Sequence, residues 1–164
     1  MLSADKTTLT ALSGDPAAAA RIGTMSACLR HALRHRVQAR PVLATTRDVI
    51  DYLTLTLSHR PLEEVHALYL NAKLQLLRDE TVGLGDIAEA PVMVRPILKR
   101  ALELGASAVI LAHNHPSGEA TPSMADVAAT RALDSAADML GVQLIDHIVL
   151  ASGDWVSMRA QGLV

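Results

Sequence analysis

A single domain of the α/β (α+β) class is expected from this chain, a mixed β-sheet flanked by helices in three layers, preceded by a short helical extension. Half of the 164 residues are hydrophobic, enough for one full core at this length. Segments with strand and helix periodicity interleave in the order helix, hairpin, helix, strand, helix, hairpin, a mixture that packs helices on a sheet.

From Asp15 to Gln38 the chain is rich in Ala and then in Arg, and it reads as one helix. Arg30, Arg34, His31 and His35 are spaced to share a side of that helix. Pro41 closes the segment, and a boundary is expected near Ala44. Thr45-Thr46-Arg47-Asp48 has the form of a helix start, after which Val49, Ile50, Leu53 and Leu57 recur at helical spacing. Glu63 to Asn71 alternates as a strand, Asn71-Ala72-Lys73 turns the chain, and Leu74 to Val82 returns as its hairpin partner. Gly83 and Gly85 are expected to break that strand.

A second core helix starts around Arg95, with Pro96 in its first turn, where a missing N–H costs nothing. Its stripe is Ile97, Leu98, Ala101 and Leu102, and Gly105 stops it. Ser107 to Ala112 has the length and apolarity of a buried strand. Ser123 opens another helix that runs to Gly141. Val142 to Leu150, a turn at Ser152-Gly153-Asp154, and Trp155 to Met158 form the closing hairpin.

The net charge of −2 argues against a surface that binds nucleic acid throughout, so such binding would be local. The one cysteine, Cys28, has no partner for a disulfide or a thiolate cluster, and a small buried apolar side chain is its expected role. The first residues lack the pattern of a secretory signal, and no apolar run approaches the roughly 20 residues needed to cross a bilayer. A cytoplasmic protein without membrane contact is expected.

Chemistry is concentrated in one stretch. His113 and His115 are two residues apart at the end of an apolar run, and Ser123 and Asp126 follow. Residues two apart on an extended chain project to one side, so both imidazoles can share one ion. Pro116-Ser117-Gly118 turns the chain, and the loop is long enough to bring Asp126 back over the pair. Two imidazoles and a carboxylate are the ligand types of catalytic zinc sites, which keep a fourth position for water. Ser123 and Asp126 also read as a helix capping box, which accounts for those two but not for the histidines.

The stretch ASAVILAHNHPSGEATPSMAD, Ala106 to Asp126, resembles the RadC family of the JAB/MPN (JAMM) metalloprotease-like domains. Leu144-Ile145-Asp146-His147-Ile148-Val149, Ser157 and Gly85 add supporting matches, and the resemblance covers about residues 46–164. It implies a JAB/MPN-like (cytidine-deaminase-like) fold over residues 45–164. Residues 1–44 would then be the helical extension, a truncated remnant of a helix-hairpin-helix region. Two departures stand out: Arg95-Pro96 replaces the family's usual Arg-Glu, and Arg21-Ile22-Gly23 is at most a trace of the hairpin.

The resemblance further implies that His113, His115 and Asp126 bind Zn2+ with a water completing the coordination, and that an upstream glutamate is general acid and base. Glu63 fits the family pattern and Glu64 is the fallback, since strand alternation lets only one of them point at the metal. Taken alone, Glu63 beside Arg60 also reads as a surface ion pair. With the metal in place, Glu63 would move the proton and Ser123 would donate to the oxyanion, giving hydrolysis of a peptide or isopeptide bond in a peptide or protein substrate. Asp146-His147 reads either as buried hydrogen-bonded support or as part of the site, and stays outside the catalytic set. His31, His35, His59 and His66 have no ligand-like spacing and read as structural or solvent-facing.

The alternative to a zinc metallopeptidase is a DNA repair or recombination protein that binds DNA through the Arg-rich helix, or a protein partner, without peptidase activity. A third class, the interaction domain that has lost its metal, is disfavoured by the intact ligand set. Neither the substrate nor the oligomeric state is written in the sequence.

Overall fold

The computed structural model of the chain describes residues 6–39, 46–58, 60–85 and 94–164. Two helices, α1 (Lys6–Ser13) and α2 (Pro16–Ala39), come first, followed by α3 (Thr46–Leu57). Then come the hairpin β1 (Glu64–Leu70) and β2 (Leu76–Leu84), helix α4 (Val94–Leu104), strand β3 (Ala108–Asn114), helix α5 (Met124–Asp138), and strands β4 (Gln143–Ala151) and β5 (Asp154–Ser157). The strands form one sheet in the order β2-β1-β3-β4-β5. β1 is antiparallel to β2 and to β3, β3 and β4 are parallel, and β4 and β5 are antiparallel. A parallel pair needs a crossover, and α5 supplies it. The expected mixed sheet flanked by helices is present.

Alternation assigns the faces. Leu68 and Leu70 of β1 and Ala108, Ile110 and Ala112 of β3 pack with Val49, Leu53 and Leu57 of α3. Ala67, Tyr69, Val109 and Leu111 face the other way, onto Ile97, Leu98 and Ala101 of α4 and Leu133 and Ala137 of α5. Because β3 is covered on both faces, all seven of its residues are buried, which is why it reads as an unbroken apolar run. His113 continues the odd-numbered set of β3 and therefore falls on the side of α5. The sheet thus delivers the histidine pair to the rim of the layer where α5 begins.

Several expectations change in detail. Lys6–Ser13 is a helix that the sequence pattern did not announce, anchored by Leu9 at 1% exposure. Gly14, at φ 65°, separates it from α2, and Asp15 Oδ1 accepts from Ala17 N (2.8 Å) with Pro16 in the first position of the helix. β2 starts at Leu76 rather than Leu74, because Asn71 Oδ1 accepts from both Lys73 N and Gln75 N and Leu74 adopts a left-handed φ of 57°. Gly83 does not break β2: it pairs with Val65, and the strand ends only at Gly85, whose φ is 108°.

Cys28 is exposed, not buried. The inward side of α2 carries Ala19 and Ser26, and Cys28 lies two residues round from Ser26, on the side of Met25 and Leu29. His31 and His35 are exposed while Arg30 and Arg34 are half-buried, with Arg30 donating to Ser26 Oγ at 2.7 Å. His66 is buried between Asp79 (2.9 Å) and Thr81 (3.1 Å). Pro41, the boundary near Ala44, the Thr45 cap and His59 lie outside the described residues. Among the described residues, no helix is long and apolar enough to cross a membrane.

Candidate metal centre

β3 holds His113 opposite Val65 of β1 and Val149 of β4, and its side chain has no exposed surface. The chain stays in line with β4 past the end of β3, because His115 N donates to Leu150 O at 2.7 Å. His115 therefore projects to the same side as His113. Gly118 N then donates to His115 O (3.1 Å) and Gly118 takes φ 89°, closing the turn that sends the loop back. The loop ends in the capping box of α5. Ser123 Oγ accepts from Asp126 N (3.1 Å), and Asp126 Oδ2 accepts from Ser123 N (2.8 Å) and Ser123 Oγ (2.6 Å).

These three elements bring three donor atoms together. His113 Nε2 and His115 Nε2 are 2.9 Å apart, and Asp126 Oδ2 is 3.7 Å from each of them. Ligands about 2.0 to 2.1 Å from a tetrahedral ion stand roughly 3.3 Å from one another. The observed triangle brackets that value, so the donors fit one small cation in both spacing and chemistry. His115 Nδ1 donates to Glu119 O at 2.8 Å. A neutral His115 consequently presents its Nε2 lone pair towards His113.

Glu63 lies just before β1, with its Oε1 3.9 Å from His113 Nε2. Together with His113 and His115 it forms a group able to hold a metal ion, the three ligand atoms lying within 4.8 Å of one another. Glu64 takes the opposite face. Its carboxylate is 3.7 Å from His66 Nε2 and 3.7 Å from Arg60 Nε, so the ion pair expected between Arg60 and Glu63 is made by Glu64. The side chains differ accordingly: Asp126 is 2% exposed, Glu63 17%.

Burial is the chief reason the His113 imidazolium is disfavoured, bringing its pKa down to about 4; the Asp126 charge opposes this and His115 adds to it. His147 is pushed well below the ordinary histidine value, again by burial first and then by His113 and His115. Both rings are neutral near pH 7, the state in which an imidazole nitrogen binds a metal.

His147 lies closer to this cluster than its sequence position reveals. Its Nε2 is 2.7 Å from His113 Nδ1, and its Nδ1 is 2.6 Å from Thr130 Oγ1. Simple alternation from Leu144, which faces α5, would turn His147 towards α3. The register shift between Val109 and Ile110 in the pairing of β3 with β4 reverses the phase, so His147 pairs with Leu111 and turns to α5. Thr130 sits one turn beyond Asp126, a spacing visible in the sequence but carrying no signal without the bulge.

Comparison with known proteins identifies the family. A family model described as the RadC-like JAB domain matches residues 43–163. The chain is 41% identical along its whole length to a UPF0758 protein of Rhodobacter capsulatus, covering 77% of that protein. It is 39% identical, again along its whole length, to one of Methylibium petroleiphilum, of which it covers 74%. A third, from Ruegeria pomeroyi, is 42% identical over 79% of this chain and 58% of its own length. With the match running through every strand and both histidines, the chain belongs to the RadC family of JAB-domain proteins.

Proposed function

We propose that this chain is a zinc-dependent hydrolase that cleaves a peptide or isopeptide bond, with His113, His115 and Asp126 as metal ligands and Glu63 as the group that moves the proton. The observation that carries the reading is the donor triangle, with separations of 2.9, 3.7 and 3.7 Å. When bound, zinc lowers the pKa of water to about 7 and polarises the carbonyl under attack.

The protein's own groups supply the remainder. Asp126 is the third ligand because its carboxylate is buried and already aimed by two hydrogen bonds from Ser123. Glu63, longer and more exposed, is left to accept the proton of the attacking water and return it to the leaving amine. Ser123 can turn its hydroxyl to the oxyanion while its backbone N–H continues to hold Asp126. The half-burial of Arg30 and Arg34 leaves the hydrolase reading ahead of DNA binding through α2.

A digest of a mixed peptide library by zinc-loaded protein tests the reaction. Products are expected that disappear after chelation, return with added zinc, and fail to form with His115→Ala. Products that persist without metal would refute the mechanism.

A further inference from the structure

Behind the donor triangle runs a buried chain of hydrogen bonds whose protons can be assigned one by one. Thr130 is 1% exposed and His147 4%. Thr130 has a single hydroxyl proton, and Asp126 O, 2.6 Å away, can only accept it. Thr130 Oγ1 must therefore accept from His147 Nδ1, also at 2.6 Å. The neutral His147 ring is left with a lone pair on Nε2, which accepts from His113 Nδ1 at 2.7 Å. With its proton held on Nδ1, neutral His113 turns a lone pair on Nε2 towards His115 and Asp126.

We infer that Thr130 and His147 are positioning residues that fix the tautomer of His113 so that its Nε2 faces the metal as a donor. This rests on the metal-centre reading above and adds to it the groups that prepare the site. Partners that orient a ligating histidine are usually a carboxylate, a carbonyl or water. Here the partner is a second imidazole, which can carry its proton on either nitrogen and so needs a fixed partner of its own. Thr130 is that partner, and it takes its own direction from the backbone carbonyl of Asp126. One proton order therefore links two of the three donors.

The reverse order shows what the relay prevents. A proton on His147 Nε2 would point at His113 Nδ1, move the His113 proton to Nε2, and aim N–H instead of a lone pair at the cation. Among the described residues the Thr130 hydroxyl selects against this order; Met158 Sδ, 3.9 Å from Thr130 Oγ1, is a weak acceptor that competes little for its proton.

Two variants separate orientation from packing. Thr130→Val keeps the side-chain shape and removes the hydroxyl; Thr130→Ser keeps the hydroxyl and removes a methyl group. Competition titration of the full chain with zinc and a chelator should show Thr130→Val weakened by about 10- to 100-fold and Thr130→Ser within about threefold of the parent. Packing alone would give the opposite order. Ring 15N spectra of the metal-free parent should show Nδ1–H and a bare Nε2 on His147, a readout that needs no variant to fold. Nε2–H in place of Nδ1–H on His147, or equal zinc affinities for the two variants, would overturn the inference. Failure of the parent to bind zinc would instead remove the metal-centre reading, and the His147 tautomer would still decide the relay.

Discussion

Asn114 reaches across from β3 to Glu64, its Oδ1 accepting the Glu64 backbone N–H at 2.9 Å. Its Nδ2 donates to Leu62 O (3.1 Å) and Arg60 O (3.3 Å). The residue between the two histidines thereby holds the distant segment that carries Glu63. Asn114 turns its side chain away from the two histidines and still sets where the Glu63 carboxylate stands.

Replacing the buried Asn114 with alanine takes the partner from a part-buried N–H and two part-buried carbonyls and should cost about 1 to 3 kcal/mol of unfolding free energy. Hydrolysis should fall with it, because Glu63 loses its mooring. Zinc affinity should change much less, since no donor is touched. Denaturant unfolding and zinc competition on the same variant check both halves.

The two adjacent glutamates should separate cleanly. Glu63→Gln removes the proton carrier and should lower turnover by about 100- to 10,000-fold with zinc still bound. Glu64→Gln should leave turnover close to the parent, because its carboxylate serves His66 and Arg60 on the other face. Rates measured at equal zinc occupancy make the comparison direct.

Ser123 has two roles that one substitution can resolve. Ser123→Ala removes the helix cap and should cost about 1 kcal/mol of stability. Asp126 keeps the bond from the backbone N–H at 2.8 Å, so zinc binding should weaken only modestly, whereas Asp126→Ala should abolish it. Thermal unfolding with and without zinc distinguishes the cap from the ligand.

Most of this fold was legible because its elements are amphipathic or uniformly apolar. The periodicity of Val49, Ile50, Leu53 and Leu57 and the apolar run ending at Ala112 gave the layers. The His113, His115 and Asp126 convergence was legible from spacing, since two-residue alternation and a turn at Gly118 are local facts. Glu63 was reached through family resemblance, because the Asn114 clamp that places it is a contact between distant segments. His147 could not be placed from alternation at all, as the bulge in the β3–β4 register inverts its facing. Cys28 failed for a similar reason: helix geometry says which residues share a side, and only packing says which side is inside.

Alkaline titration offers a check that does not involve the metal. Both tyrosines of the chain are raised in the folded state. For Tyr69, burial comes first and the Glu80 charge second, bringing its phenol up to about 12. Tyr52 is raised by burial and then by Asp79, to which its hydroxyl donates. Unfolded tyrosine ionises near about pH 10, so the unfolded state releases its protons first as pH rises. The stability this contributes is complete below about pH 10 and is lost between there and about 12. Tyrosinate absorbance should therefore stay flat to above about pH 10 and then rise together with loss of the circular dichroism signal. A separate ionisation step in a still-folded protein at the ordinary tyrosine value would contradict the burial of both rings.

The metal content of the full chain addresses the central claim most directly. After saturation and removal of free metal, elemental analysis should find about one zinc ion per chain in the parent. In His115→Ala the content should fall far below that, with the helical circular dichroism retained. A parent that holds no zinc, or a His115→Ala variant that holds as much as the parent with the same affinity, would show that His113, His115 and Asp126 converge for some reason other than binding a metal.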